Sequence, residues 1–497
     1  MDADQAKRSL AELGLHAQGG LEARITGLSI DSRAVRPGHL FAALPGARLH
    51  GGEFIGTALR MGAGAILTDR EGAALAEAAL AAAPDRALVV AEDPRQALAY
   101  SAALWFGGQP ETCVAVTGTN GKTSVTSFAR QIWTCLGREA CNLGTTGIEG
   151  AYEAPLQHTT PDALTLHRHL AEMARHGVTH LAMEASSHGL DQKRLDGVRL
   201  AAAGFTNFSQ DHLDYHQDFE SYFAAKAGLF DRVLSEDGII VSNLDDPKGR
   251  VVAERATERG QEVIGIGRHP DAALRIEGQR FDTTGQDLRF SWQGRPRMAR
   301  LNLIGGFQAA NALLAAGLVI AAGEDPDDVF TTLDRLQTVR GRMQHVASRE
   351  NGGAIFVDYA HTPDAIATAL TALRPHVLGR LIIVFGAGGD RDTAKRVLMG
   401  QAAGQHADLC IVTDDNPRSE DPAAIRAMVR EGCPEAADVG DRAEAILRGV
   451  DAVGPGDALL IAGKGHETGQ TIGDDVFPFD DAEQASVAVA ALEGRLT

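Results

Sequence analysis

The residues best suited to chemistry lie together in Gly118-Thr119-Asn120-Gly121-Lys122-Thr123-Ser124. An apolar run, Cys113 to Val116, precedes them and reads as a buried strand. Val125, Phe128, Ala129, Ile132 and Leu136 follow at helical spacing. Strand, glycine-bracketed loop, Lys-Thr and helix is the order of a phosphate-binding loop. Glycines let backbone N–H groups approach an anion, and the helix start adds the positive end of its dipole. In that arrangement Lys122 reaches the terminal phosphates and the Thr123 hydroxyl takes Mg2+. The common loop has about four residues between its first glycine and the Gly-Lys pair; here only Thr119 and Asn120 intervene. An ordinary strand-to-helix turn with a solvated lysine is the other reading.

Further polar clusters follow apolar strands. Leu181 to Met183 runs into Glu184-Ala185-Ser186-Ser187-His188, and Ala203 to Phe205 into Thr206-Asn207, then Asp211-His212. Ile355 to Val357 runs into Asp358-Tyr359-Ala360-His361, and Ile383 to Phe385 into the glycine-rich run before Asp390-Arg391. Cys410 to Val412 runs into Thr413-Asp414-Asp415-Asn416-Pro417-Arg418, and Leu459 to Ile461 into Ala462-Gly463-Lys464-Gly465-His466-Glu467. Open α/β sheets bind ligands beyond the carboxyl ends of their strands. Such loops on two sheets suggest two rims facing a shared cleft, one holding a nucleotide.

Glu184 and His212 are candidate metal ligands. A carboxylate at a strand end near a phosphate loop suits Mg2+, which prefers oxygen and keeps several waters. His212 alone also reads as a surface or hydrogen-bonded histidine. Its spacing to His216 resembles a zinc pair, but Leu213 stands where a zinc hydrolase has Glu. Lys226 falls on the helical stripe of Phe219, Tyr222, Phe223, Phe230 and Val233. Either its stem lies on apolar surface while its amine reaches water, or the amine is partly buried with a lowered pKa. A neutral amine adds CO2 to give a carbamate, a carboxylate-like metal ligand. Arg391 and Arg418 read as forks for carboxylate or phosphate, or as solvated arginines. Asp31-Ser32-Arg33, after a strand, reads as a polar turn.

Elements of the right kind are present to position these groups. The 497 residues imply about three domains. Strands at Ile25 to Ile30, Leu40 to Leu44, Ala65 to Leu67 and Ala87 to Val90 alternate with helices at Glu53 to Met61, Ala73 to Ala83 and Pro94 to Phe106. They make a first domain, 1–108, ending in the linker signal Gly107-Gly108-Gln109-Pro110. A second, 109–339, continues βα alternation, then hairpins from Leu274 to Leu303 and a helix from Gln308 to Ala322. A third, 340–497, is another α/β sheet. Alternation of this kind implies parallel sheets with helices on both faces.

The net charge of -19 argues against nucleic acid as the main partner. Five cysteines without Cys-x-x-Cys spacing imply a reduced, cytoplasmic protein. No secretory signal is visible, and no window reaches the ~18 consecutive apolar residues of a membrane span.

Together the motifs resemble the Mur ligase family, the ATP-dependent amino-acid ligases of peptidoglycan synthesis. The resemblance rests on Gly118 to Thr123, Met183-Glu-Ala-Ser-Ser-His188, Asp211-His-Leu-Asp-Tyr-His216, Asp358-Tyr-Ala-His361 and Asp415-Asn-Pro-Arg418, in this order. It covers nearly the whole chain. It implies a three-domain α/β protein: a UDP-binding α/β N-terminal domain, a central P-loop-type parallel-sheet domain for ATP, and a Rossmann-like α/β C-terminal domain for the incoming amino acid.

By the same resemblance, Ile30 and Ser32 contact uridine, and Thr159, Thr160, Ser186, Gln192 and Arg194 hold a muramoyl-dipeptide. His158 stands where close relatives have Asn. Gly118 to Ser124, with Gln308, Asn311, Arg342 and Asp358, would bind ATP; Gln308 stands where the family often has Asn. Lys122, Glu184, His212 and Lys226 would be catalytic, with Thr123, Glu184, His212 and carbamylated Lys226 around Mg2+. Arg391, Asp415, Asn416, Pro417, Arg418, Gly463 and Glu467 would hold meso-2,6-diaminopimelate, whose second carboxylate suits a guanidinium fork.

The implied reaction joins that amine to the D-glutamate γ-carboxylate of UDP-N-acetylmuramoyl-L-alanyl-D-glutamate through an acyl phosphate, in a cytoplasmic monomer. A lysine-adding relative, a folylpolyglutamate synthase-like ligase and a nucleotide-gated binding protein are the alternatives.

Overall fold

Short apolar runs ending in polar clusters become strands of parallel sheets in the computed structural model, which describes residues 7–46, 49–209 and 215–495. The chain divides into two units, Met1–Ile264 with Gly317–Glu324, and Gly265–Ala316 with Asp325–Thr497.

The first unit holds a short antiparallel pair, Arg8–Ser9 with Arg24–Ile25, and two larger sheets. Four parallel strands, Gly27–Ser29, His39–Ala42, Ala65–Thr68 and Ala87–Val90, pair in chain order. The larger sheet sets Thr112–Thr117 at its centre. His180–Glu184 and then Ala140–Gly144 lie on one side, Ala202–Phe205 and Ile239–Asn243 on the other, all parallel. The antiparallel Gly147–Gly150 closes one edge. The chain leaves the central strand toward one edge and later returns to its other side. The loop after Thr117 therefore lies at the switch point, where such sheets bind ligands. Register places Glu184 opposite Val116 and Phe205 opposite Thr117, so three strands end flush at that loop. Val114, Ala115, Val116, Ala182 and Ala203 are fully buried beneath it.

The segment read as a linker near residue 108 is a pinned corner. The Gln109 amide donates to the Arg199 carbonyl at 2.9 Å and accepts the Arg199 N–H at 3.0 Å. Helix Pro94–Phe106 packs on helix Ala163–Arg175. Gln96 Nε2 donates to buried Asp196 Oδ2 at 2.8 Å, and Arg232 Nε lies 3.1 Å from the same carboxylate. The Ala73 to Ala83 helix is two pieces, Arg70–Leu75 and Glu77–Ala81, broken at Ala76.

His167, on helix Ala163–Arg175, is buried in this joint 3.0 Å from the Asp196 carbonyl. Burial pushes its imidazole down to about 4. The unfolded chain takes up that proton near the ordinary histidine value, whereas the folded chain waits until about pH 4. Stability from this group is therefore complete above that ordinary value and falls as pH drops toward 4. The loss is on the order of 3 kcal/mol. His167→Gln should flatten the dependence of the thermal midpoint on pH between 6.5 and 4; an unaltered slope would count against this assignment.

In the second unit, Leu274–Asp282, Gly285–Trp292 and Arg295–Leu301 form an antiparallel ribbon. A six-stranded sheet runs Gln344–Ser348, Ala354–Asp358, Ala458–Ala462, Leu381–Phe385, Leu409–Val412, Ala437–Asp438. Only its first pairing is antiparallel. A hairpin, Gly469–Ile472 with Asp475–Pro478, follows the strand Ala458–Ala462. Among the described residues no helix is long and apolar enough to cross a membrane.

Candidate active site

At the switch point the chain turns from Thr117 into Gly118, whose φ of 142° is a conformation glycine favours. A Cβ there would lie 1.9 Å from Thr206 Oγ1, so only glycine fits. Gly121 opens the helix Lys122–Cys135, in which Thr123 and Ser124 are buried. The Thr119 N–H donates to the Asn207 carbonyl (2.8 Å) and the Asn120 N–H to Asn207 Oδ1 (2.9 Å). Those two amides brace the loop, which leaves the helix-start amides from Gly121 onward as the candidate anion donors.

Two lysines converge on one carbonyl. Lys122 Nζ donates to Gly118 O at 3.0 Å and to Thr119 O at 2.9 Å. Lys226 Nζ donates to the same Gly118 O at 2.7 Å and lies 4.5 Å from the centre of the Tyr222 ring. Lys226 is 1% exposed, so its amine is buried and does not reach water along an apolar surface. Helix Phe219–Gly228 ends just after it in a π turn, Leu229–Val233, which interrupts the helical stripe read from the sequence.

Glu184, also buried, ends its strand beside the loop. Its Oε1 accepts the Thr145 N–H at 2.8 Å and its Oε2 faces the Thr145 hydroxyl at 3.2 Å. Thr145 Oγ1 is 3.0 Å from Thr159 Oγ1. Thr160 Oγ1 donates to the Glu184 carbonyl (2.9 Å) and accepts the Ser186 N–H (3.0 Å). Ser186 Oγ caps the helix Ser187–Asp191 by accepting the Gly189 N–H. Arg194 donates to the Thr160 carbonyl at 2.5 Å and to Gln192 Oε1 at 2.8 Å, and burial holds its guanidinium below the usual arginine value. Thr159, Thr160, Ser186, Gln192 and Arg194 thus form one connected surface leading from Glu184, while His158 beside them is exposed.

His212 lies outside the described residues, as do Asp211, Leu213 and Asp214 of its motif. Tyr215, at that motif's end, donates to Asp191 Oδ2 (2.7 Å) and accepts from Gln192 Nε2 (3.2 Å). On the four-stranded sheet, Ile30 is 41% exposed and Ser32 buried. The Asp31 carboxyl between them is held at about 2 by the Arg33 side chain and N–H.

In the second unit, Gln308 and Asn311 share the first turns of helix Phe307–Ala321, where Asn311 Nδ2 donates to Gln308 Oε1 at 3.0 Å. His376 holds the start of that helix. Its Nε2 accepts the Gly305 N–H (3.1 Å), and its Nδ1–H donates to the Asp282 carbonyl (2.6 Å). The Arg342 guanidinium lies 4.7 Å from the centre of the Tyr359 ring. Asp358 Oδ1 accepts the Ala360 N–H at 2.9 Å and Oδ2 the Met343 N–H at 2.6 Å. Burial raises its carboxyl above the usual range, against the pull of Arg342. Tyr359 also faces His466, with ring centres 5.1 Å apart. Burial holds that imidazole at about 4.

The loops after Val412 and Ala462 lie against each other. A Cβ on Gly463, whose φ is 115°, would meet Asp415 Oδ2 at 2.6 Å. Asn416 Nδ2 donates to Glu467 Oε2 at 3.0 Å. Arg418 takes the unusual φ of 52°. Its N–H donates to the Thr471 carbonyl, its carbonyl accepts the Gly473 N–H, and NH1 donates to Gly389 O at 2.7 Å. Buried Pro417 sits between Asn416 and Arg418, and Arg391 is exposed nearby, its Cγ 3.9 Å from a Cβ built on Gly388. Asp415, Asn416, Pro417, Arg418, Gly463 and Glu467 are thus gathered in one place.

Several supports had no signal in their own residue type. Asn207 and Thr145 hold the loop and Glu184 through contacts distant in sequence. The placement of Asn207 directly after a strand was the one hint.

A switch-point loop of this form, beside a buried carboxylate and two lysines, defines an α/β enzyme that handles a phosphorylated ligand. Residues 24–105 match the Mur ligase family, catalytic domain; residues 116–319 match the Mur ligase middle domain; residues 341–465 match the Mur ligase, glutamate ligase domain. The UDP-N-acetylmuramoyl-L-alanyl-D-glutamate--2,6-diaminopimelate ligase of Bradyrhizobium diazoefficiens is 47% identical over 94% of this chain and 95% of its own. The ligase of the same name from Caulobacter vibrioides is 48% identical over 95% and 96%. A solved structure of a ligase of that name superposes with a TM-score of 0.71 at 33% identity, covering 98% of this chain and 100% of its own. The chain belongs to the Mur ligase family, and it is an ATP-dependent amide-forming ligase of peptidoglycan precursor synthesis.

Proposed function

We propose that this ligase adds meso-2,6-diaminopimelate to the D-glutamate γ-carboxylate of UDP-N-acetylmuramoyl-L-alanyl-D-glutamate, as a monomer in the cytoplasm. The observation that carries the reading is the locked cluster of Arg418, Asn416 and Glu467. A guanidinium, an amide and a carboxylate in one place suit an amino acid with a second carboxylate and a second ammonium. Residues 1–108 would take the UDP part through Ile30 and Ser32, 109–339 the ATP, and 340–497 the amino acid. His158, Thr159, Thr160, Ser186, Gln192 and Arg194 would hold the muramoyl-dipeptide.

The γ-carboxylate attacks the γ-phosphorus of ATP, and ADP leaves. Lys122 and the amides from Gly121 to Ser124 stabilise charge on the transferred group, with Gln308 and Asn311 on the adenine side and Arg342 and Asp358 toward phosphate and ribose. The amine of diaminopimelate then attacks the acyl carbon, phosphate leaves with the acyl C–O pair, and the amine loses a proton. Arg391, Asp415, Asn416, Pro417, Arg418, Gly463 and Glu467 orient that amino acid. Thr123 and Glu184 are oxygen donors of the kind Mg2+ takes; with His212 and a modified Lys226 they would hold it. Bound there, the ion would neutralise phosphate charge.

Lys226 would be carbamylated. Two ammonium groups around Gly118 O repel each other, and carbamate formation replaces one of them with an anion. The amine adds CO2 and releases a proton, so no further reactant is needed. Intact-mass measurement under CO2 should show an added 44 Da, about one carboxyl group, absent from Lys226→Met. An unmodified mass at saturating CO2 would sink the carbamate.

The decisive assay for the reaction is phosphate release across a panel of amino acids. Release should require both UDP-muramoyl-dipeptide and diaminopimelate. Equal release with lysine would overturn the substrate assignment.

A further inference from the structure

Lys464 has no part in the proposed chemistry, yet its ammonium is fully buried among the residues assigned to the amino acid. Its Nζ donates to Asn416 Oδ1 at 3.0 Å and to Glu467 Oε2 at 3.2 Å. Asn416 Oδ1 also accepts the Thr471 N–H at 2.9 Å, while Asn416 Nδ2 donates to the same Glu467 Oε2. Two donors therefore fix which end of the Asn416 amide faces which way. Both Lys464 and Asn416 bind Oε2 of Glu467, which leaves Oε1 for a ligand.

The charges nearby have an uneven balance. Arg342 faces Asp358, and buried Arg442 is paired with Asp481 at 2.7 Å, so each has its own carboxylate. Arg442 also donates to the Asp414 and Ala462 carbonyls, which ties down the roots of both loops. Among the residues assigned to the amino acid, Arg391 and Arg418 with Lys464 stand against Asp415 and Glu467, an excess of one positive charge within that set; the exposed Asp390 carboxylate, bound to Ser419 beside Arg418, lies outside it. A second zwitterionic centre is neutral as a whole and offers a carboxylate to that excess. A lone side-chain ammonium is repelled by it. Without Lys464, Glu467 would attract such an ammonium unopposed.

We propose that Lys464 is a positioning residue for specificity: it orients the Asn416 amide and offsets Glu467, so that the loops take an amino acid with a second zwitterionic centre and reject one ending in a bare ammonium. The inference rests on the diaminopimelate reading above, and the wild-type enzyme tests that reading separately. If wild type releases no phosphate with diaminopimelate, the reading itself fails.

If wild type does turn over diaminopimelate, the ratio of kcat/KM for diaminopimelate to that for lysine is compared in Lys464→Gln, Lys464→Met and Lys464→Arg. Gln can still donate to Asn416 Oδ1 but carries no charge; Arg keeps the charge. The ratio should fall about tenfold in the Gln and Met variants and be largely restored by Arg, with KM for ATP unchanged. A purely structural role would lower all rates together and leave the ratio alone. A ratio within about twofold of wild type in folded Lys464→Gln would overturn the proposal. Should neither neutral variant fold, Glu467→Gln at the more exposed partner decides. It enlarges the positive excess, so lysine use should fall further than diaminopimelate use; the opposite order would overturn the proposal.

Discussion

Lys122→Ala should lower kcat for diaminopimelate-dependent phosphate release by about a thousandfold or more. Phosphoryl transfer asks the protein chiefly for placement and charge, and Lys122 is the cation at the start of the loop helix. Folding should survive. The Lys122 bonds to Gly118 O and Thr119 O come from a half-buried amine, and water can replace them. The loop keeps its brace through Asn207, and Lys226 still binds Gly118 O. The thermal midpoint of Lys122→Ala should therefore stay within a few degrees of wild type, about the effect of one surface-type hydrogen bond. Turnover within about tenfold of wild type, with folding intact, would remove Lys122 from the mechanism.

This contrast between catalysis and folding reflects what the sequence could reveal. The strand, loop and helix around Lys122 were legible because their signals are local: an apolar run, glycines at fixed offsets, then helical periodicity. The strand-end position of Glu184 was legible for the same reason. Lys226 was not settled by periodicity, because a stripe position near a helix end can face either core or water. The π turn at Leu229–Val233 and the loop carbonyl of Gly118 decide it, and neither is visible in the spacing. Lys464 sits between Gly463 and Gly465, a context that reads as a loose loop. Its burial comes from Asn416, far away in sequence, and from the Arg442–Asp481 pair behind both loops. The contacts of the Gly107 to Pro110 linker were not legible for the same reason, since the Arg199 backbone that pins Gln109 is distant in the chain.

Arg418→Ala should raise KM for diaminopimelate by about a hundredfold and leave KM for ATP nearly unchanged. The backbone supports this choice of test. Arg418 holds a φ of 52°, costly for a residue with a Cβ, and it is kept there by the Thr471 carbonyl and the Gly473 N–H. Ala carries the same backbone cost in the same bridge, so the comparison isolates the guanidinium. In the structure NH1 binds Gly389 O, which fixes one side of the fork and leaves other N–H groups for a carboxylate. Arg418→Lys should recover only part of the loss, because a point charge cannot make two parallel bonds. A strained loop kept strained by its neighbours is what a preorganised carboxylate site requires. Equal rises in KM for ATP and diaminopimelate would mean that Arg418 supports the fold of the loop and does not read the second carboxylate.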